Sequence, residues 1–174
     1  MPLKLNSLMQ LIISAVCLAL CMVLPFLTGQ IPQIGSALSP MHLPVLLCGF
    51  LAGGPWGLAC GALVPLLSSL LTGMPPLYPV GVSMIFEIAT YGLLSGVLYQ
   101  RTGKKVFVSL IGAMLGGRVV MGIANTILYG VLGNGHGLTG FLTAAFVTAL
   151  PGIVLQLSLV PAILVALRKA KLAD

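Results

Sequence analysis

The feature that most constrains this chain is a series of long apolar segments that carry almost no charge. The first covers residues 8–27 and contains no charged side chain. An α-helix needs about twenty predominantly apolar residues to cross the hydrocarbon core of a bilayer. Charged residues make up only 6% of the 174 residues, too few to cover the surface of a water-soluble domain of this size. The sequence therefore predicts an all-α integral membrane protein.

Proline and glycine residues divide the chain into six apolar segments. We predict that these segments are the helices of a six-transmembrane-helix bundle, a single domain covering residues 1–174. The second segment is short for a span, which indicates a tilted or partly interfacial helix. The predicted helices are 8–27, 42–53, 56–72, 79–100, 106–131 and 138–167.

The basic residues predict the orientation of this bundle. Six crossings place Lys4 on the same side of the membrane as the basic segments 101–105 and 168–171. Seven of the eight Lys and Arg residues then share one side, as the positive-inside rule expects, whereas five or seven helices would divide them. Both termini are therefore predicted to be cytoplasmic. The net charge of +6 follows from this topology and does not require a nucleic-acid partner.

Two charged residues, Glu87 and Arg118, lie inside the fourth and fifth predicted helices. A charge in hydrocarbon is costly unless it is paired or hydrated, so such residues mark candidate functional sites. The sequence leaves two interpretations open. The two side chains could form a structural ion pair between neighbouring helices, or they could contact a ligand.

Polar residues recur at helical spacing on three consecutive predicted helices. These stripes consist of Ser83, Glu87, Thr90 and Tyr91 on the fourth helix, Arg118, Asn125 and Tyr129 on the fifth, and Thr148, Gly152 and Gln156 on the sixth. A kink is expected beside the last stripe, at Pro151. Polar stripes also serve as contacts between membrane helices. Three stripes that converge on buried charges favour a ligand cavity that opens outward.

The first helix carries a pair of small residues instead, Ala15 and Ala19, which are four positions apart. Small side chains at this spacing let another helix backbone approach closely. The pair could serve packing within the protein, or it could form a docking face for a partner.

Catalysis and metal binding are poorly supported by the sequence. Intramembrane phosphotransferases and proteases need clustered carboxylates, a metal-binding histidine pair or a Ser/His dyad, whereas this chain has one internal carboxylate and two distant histidines. The four cysteines lie in apolar runs without zinc-ribbon spacing, and we interpret them as small apolar residues. We predict no enzyme activity, no metal and no cofactor. The sequence also contains no Walker loop, so uphill transport would draw its energy from an ion or a partner.

Three stretches of the chain resemble a known family: SPMHLPVLLCGFLAGGPWG, PLLSSLLTGMPPLYP and FEIATYG. They are similar to the substrate-binding (S) component of energy-coupling factor (ECF) transporters, in the branch that includes pantothenate-type members. Six helices, cytoplasmic termini, the alanine pair on the first helix and a long first outer loop agree with this resemblance.

The resemblance implies a subunit of a bacterial cell membrane that captures a vitamin from outside and passes it to a transmembrane coupling subunit and two ATPase subunits. Ala15 and Ala19 match the alanines that contact the coupling subunit in that family. The segment 35–44 would be a lid, and His42 would face either the mouth of the pocket or the lipid headgroups. The substrate-binding residues expected from this resemblance and the polar stripes are His42, Glu87, Tyr91, Arg118, Asn125, Tyr129, Thr148 and Gln156.

The sequence leaves several ligands open. Arg118 offers a cation to the carboxylate of pantothenate, which we favour. Neutral ring compounds such as pyridoxine or a hydroxymethylpyrimidine would suit Glu87, Asn125 and the tyrosines. Riboflavin-type members tend to carry an acidic residue in the first loop, and this loop has none. A different class of protein, a proton-coupled carrier that uses Glu87 as its relay, would not co-purify with an ATPase module.

Overall fold

The computed structural model describes residues 6–27, 40–131 and 149–170, and most of these residues form α-helices. Five helical segments among them are long and apolar enough to cross a membrane: Ser7–Phe26, Gly54–Thr72, Leu77–Arg101, Val106–Leu128 and Leu150–Lys169. The α-helices are α1 (Ser7–Leu27), α2 (His42–Ala52), α3 (Gly54–Thr72), α4 (Val82–Arg101), α5 (Val106–Val131) and α6 (Leu150–Lys169), with a π-helical turn at Leu77–Gly81 before α4.

Prolines place two helix starts differently from the prediction. Proline lacks an amide N–H and fits the first turn of a helix, where that N–H would have no partner. Pro55 occupies the first turn of α3, which begins at Gly54 rather than at residue 56. Pro151 likewise lies in the first turn of α6, whose N-cap is Ala149. The described helix α6 therefore begins at Leu150, whereas residues 138–148 of the predicted helix 138–167 lie outside the described part of the chain and the kink at Pro151 stays a prediction.

The short helix α2 lies at the centre of the bundle. It has 11 residues, of which nine are buried, and it contacts α1, α3, α4 and α6. Its length is about 16 Å, roughly half the thickness of the hydrocarbon core. The sequence indicated a tilted or partly interfacial helix because it was short. The structure shows a core helix, and Gly53 alone separates it from α3, with a φ of 103° that favours glycine.

Glycines let α2, α3 and α4 pack backbone against backbone. A Cβ atom added at Gly92 of α4 would overlap the backbone of Gly57 on α3, and one added at Gly57 would overlap Gly92 and Gly49 of α2. A Cβ at Gly96 would likewise overlap the backbone of Gly54. Lipid tails are as apolar as the helix surfaces, so membrane helices associate through close van der Waals packing of this kind. These contacts fix α2 and α3 against α4.

The start of α1 and the end of α6 lie at the same end of the bundle. The Gln10 amide donates to the carbonyl of Ala52 (3.0 Å) and accepts from the indole of Trp56 (3.1 Å), which joins α1 to the junction of α2 and α3. At the end of α6, Arg168 donates to the hydroxyl of Tyr99 on α4 and lies over its ring. We call this the basic end, because it carries Arg101, Lys104, Lys105, Arg168 and Lys169.

The close contact between α3 and α4 predicts a position-specific effect of a single methyl group. Gly92→Ala should destabilise the protein by about 1–3 kcal/mol, because the new Cβ overlaps backbone atoms that cannot rotate away. Gly116→Ala is the matched control, because its Cβ would meet only the end of the Leu94 side chain. Thermal unfolding in detergent, followed by the fluorescence of the single tryptophan, Trp56, measures both variants. Equal midpoints for the two variants would contradict the packing described here.

Candidate ligand-binding site

Glu87 is the centre of a buried polar cluster inside the apolar bundle. Its side chain is 2% exposed. The Tyr91 hydroxyl donates to Oε1 of Glu87 at 3.1 Å, and Nε of Arg118 lies 3.5 Å from the same oxygen. On the other side, Nε2 of His42 lies 3.7 Å from Oε2. We call these four residues the Glu87 cluster.

Three helices bring the cluster together. Glu87 and Tyr91 are one turn apart on α4, so both point in the same direction. A Cβ at Gly117 would overlap the Tyr91 ring, so this glycine lets α5 approach closely enough for the next residue, Arg118, to reach Glu87. From α2, the His42 ring packs edge-on against Tyr91, with 5.2 Å between ring centroids.

Glu87 and Arg118 can form a structural ion pair and also contact a ligand, so the two interpretations left open by the sequence are compatible. The two side chains form a buried ion pair, which offsets part of the cost of placing each charge away from water. Nε of Arg118 is nevertheless not aligned for a hydrogen bond. The ion pair involves Nε alone, so the N–H groups of the two terminal nitrogens of Arg118 lie outside it. Arg118 can therefore neutralise Glu87 and still offer donors to a ligand.

The cluster lies well inside the bundle. Glu87 precedes Arg101 by fourteen residues, so it is about 21 Å along α4 from the basic end. His42 is the first residue of α2 and is 4% exposed. This burial does not agree with the alternative that places His42 among lipid headgroups, and its position at the mouth of the pocket stays a prediction.

The other predicted binding residues are described to different extents. Asn125 lies two turns beyond Arg118 on α5, and its Oδ1 is buried without a hydrogen-bond partner among the described residues. Gln156 is buried on α6, four residues before Val160, which shares a core with Tyr91. Tyr129 lies in α5, but its side chain is not described, and Thr148 lies outside the described residues.

The two faces of α1 differ in burial. Ser14, Cys17 and Cys21 are buried, whereas Ala15 and Ala19 are exposed on the other side of the helix. The buried face packs in a core that also contains Cys48 of α2 and Cys60 of α3. All four cysteines are free and buried, which agrees with their interpretation as small apolar residues. No group of three His, Cys, Asp or Glu side chains in the described ranges is arranged to hold a metal ion.

Sequence reasoning missed the glycines that position the cluster. The segments GLACG (57–61) and GLLSG (92–96) each place two glycines four residues apart, and this spacing indicates close helix packing in membranes. The same rule identified Ala15 and Ala19 on the first helix. Applied to the third and fourth helices, it would have indicated that α3 and α4 pack backbone to backbone.

Residues 9–164 match the model of one protein family, which is described as the ECF transporter, substrate-specific component. Comparison with curated proteins gives no match, and comparison with solved structures gives none either. The family match covers most of the chain and includes every residue of the Glu87 cluster.

The ion pair predicts coupled effects of substitution at Glu87 and Arg118. Glu87→Gln or Arg118→Gln alone should lower the free energy of unfolding by about 3–5 kcal/mol, because each leaves one buried charge unpaired. The double substitution should recover most of this loss. Thermal unfolding of the three variants measures the coupling, and Arg101→Gln, which removes an exposed charge, is the matched control. A double variant whose loss equals the sum of the two single losses would show that the two charges do not stabilise each other.

Proposed function

Because this chain belongs to the substrate-specific component family of ECF transporters, we propose that it captures one vitamin or vitamin precursor outside the cell. It then delivers this ligand to a transmembrane coupling subunit and two ATPase subunits. The observation that carries the proposal is the Glu87 cluster, a group of charged and polar side chains buried among apolar helices. Charged groups are retained inside membrane proteins where they bind substrates or ions.

The proposed binding site includes Glu87, Arg118, His42 and Tyr91 at its base and Asn125 two turns further along α5. Nδ1 of His42 and Oδ1 of Asn125 are buried without a hydrogen-bond partner among the described residues, which supports this assignment, because buried polar groups otherwise have partners. Tyr129, Thr148 and Gln156 complete the proposed set. Pantothenate is the favoured ligand, because the terminal nitrogens of Arg118 suit a carboxylate. In this proposal the protein binds and delivers its ligand without changing it chemically, so we propose that the chain is not an enzyme.

The proposed topology has six crossings and both termini in the cytoplasm of a bacterial cell. The chain is a multi-pass membrane protein. Counting α2 as a crossing, despite its length, makes the number even, which fits the positions of the start of α1 and the end of α6 at the basic end. The positive-inside rule then makes this end cytoplasmic. The Glu87 cluster would lie in the outer part of the bundle, as capture from outside requires.

Ala15 and Ala19 are the proposed docking face for the coupling subunit. Both are exposed, while the opposite face of α1 packs on α2 and α3. Small exposed residues four apart leave a shallow groove in which a second helix can approach closely.

A proton-coupled carrier that uses Glu87 as its relay is the alternative. Glu87 is less suited to this role, because Tyr91, Arg118 and His42 already surround its carboxylate. Co-purification separates the two functions. An S component should co-purify with a coupling subunit and ATPases, and its uptake should stop when ATP is depleted while the proton gradient is maintained. Uptake that stops only when the gradient is dissipated would favour the carrier.

The docking assignment predicts that binding and transport can be separated. Replacing both Ala15 and Ala19 by Leu should leave ligand affinity in the isolated protein unchanged, because both side chains point away from the bundle. Transport by the assembled complex should fall at least about tenfold, because the added bulk prevents close approach of a helix. Ala59→Leu and Ala162→Leu are matched controls at exposed positions on α3 and α6. Equal loss of binding and transport would mean that these alanines serve packing within the protein.

The proposed topology predicts which positions an impermeant thiol reagent can reach. Cysteines introduced at Lys104 or Lys171 should be protected in intact cells, and a cysteine at Gly135 should react. The four native cysteines are buried, and each labelling result is compared with that of the unsubstituted protein. Labelling of both basic segments from outside would overturn the orientation.

A further inference from the structure

The two nitrogens of the His42 ring have different surroundings. Nε2 faces the Glu87 carboxylate at 3.7 Å, so in the neutral ring this nitrogen carries the proton. Nδ1 is then an acceptor. It is buried and has no hydrogen-bond partner among the described residues, and the whole side chain is only 6% exposed. A buried acceptor without a partner is costly, so Nδ1 needs either a donor from a ligand or a proton of its own.

Arg118 indicates which charge a ligand beside His42 would carry. Its Nε faces Glu87, which leaves the N–H groups of its two terminal nitrogens outside this ion pair. The guanidinium group remains charged in proteins and presents these nitrogens as a planar fork that matches a carboxylate. The free side of the cluster is therefore complementary to an anionic group.

Charge balance then requires one proton. Glu87 and Arg118 cancel each other, so an anion bound beside them would leave one uncompensated buried charge, which is strongly unfavourable. The other groups facing His42 are Glu87 and Tyr91 from α4, Arg118 from α5, and Cys21 from α1, whose thiol donates to the carbonyl of Met41. Cys60 of α3 lies in the adjoining core, and α6 contributes the amide of Gln156, which does not titrate. Tyrosine and cysteine become anions when they ionise, so only His42 can supply a compensating positive charge near neutral pH.

We propose that the site takes a monocarboxylate ligand, whose carboxylate lies between the terminal nitrogens of Arg118 and Nδ1 of His42, and that His42 takes up one proton as the ligand binds. This inference rests on the proposed function. An imidazolium donates through both nitrogens, Nε2–H to Glu87 and Nδ1–H to the ligand.

The distance between Arg118 and Asn125 along α5 indicates how long a ligand that contacts both residues would be. Arg118 and Asn125 are seven residues apart and share one face of α5, which separates them by about 10 Å along the helix. Oδ1 of Asn125 is an acceptor that is buried without a partner among the described residues. A ligand that reaches both residues would carry a hydroxyl or N–H donor about 10 Å from its carboxylate.

Matched acids and neutral analogues test the inference on the purified full-length protein. The probes are pantothenate with panthenol, its alcohol, and biotin with biotin amide, each titrated calorimetrically between pH 6 and pH 8. Affinity for the acid that binds should fall as pH rises, by up to about tenfold per pH unit, because binding takes up a proton. Affinity for the neutral analogue should be weaker at pH 6 and independent of pH. Titrations in buffers of different ionisation enthalpy should show up to one proton taken up per acid bound at pH 8.

Substituting each of the two histidines in turn shows which residue takes up the proton when the ligand binds. His42→Gln keeps an amide near Glu87 but cannot be protonated, so it should remove the pH dependence and lower acid affinity at pH 6 by about tenfold or more. His136→Gln is the matched control, since His136 is the other histidine of the chain. If His42→Gln unfolds, the proton count of the unsubstituted protein decides the matter.

Three results would overturn the inference: acid binding without proton uptake, tighter binding of the neutral analogue than of its acid, or binding of neither acid. Each of these leaves the proposed function standing if the protein still co-purifies with a coupling subunit and ATPases. Loss of that co-purification counts against the proposed function itself.

Discussion

The backbone contact between α2, α3 and α4 is the constraint on which the rest of the structure depends. Without Gly57 and Gly92 the two long helices would stand apart by at least a side chain, and α2 would lose its place beside them. Lipid offers no hydrophobic force that could hold the helices together at a greater separation. The close contact therefore positions His42 at the level of Glu87, where the polar cluster forms.

The burial of Glu87 explains why hydrogen-bond donors and cationic side chains surround it. A single carboxylate in the bundle requires cations and donors around it, and three helices each contribute one of these partners: Tyr91, Arg118 and His42. The same low dielectric that makes Glu87 costly strengthens its attraction to Arg118. Because these partners satisfy Glu87 without using all of their own nitrogens, the protein can hold the charge stably and still present polar atoms to a small molecule.

The sequence predicted the helical class and identified Glu87 and Arg118 as charges inside apolar helices, because the physical rules involved are local. An uncharged apolar run indicates a membrane helix, and a charge within such a run stands out. Prediction from the sequence was less successful where the position of a residue depends on contacts between distant segments. His42 follows a proline-containing stretch and resembles a surface residue, yet it is buried because α3 and α4 enclose α2. Pro151 lies in the first turn of α6, and a first-turn proline and an interior proline have the same sequence signature until the start of the helix is known.

The short helix α2 connects the basic end of the bundle to the Glu87 cluster. One end is held at the basic end, where Gln10 of α1 bonds to the carbonyl of Ala52 and Gly53 forms a one-residue joint. The other end carries His42. Between these two ends, Gly49 of α2 packs against the backbone of Gly92 on α4, so the helix is also held in its middle. The 3.7 Å between His42 and Glu87 is therefore set by backbone packing along α2, and a change at the basic end would have to displace this packing before it altered the charge contact.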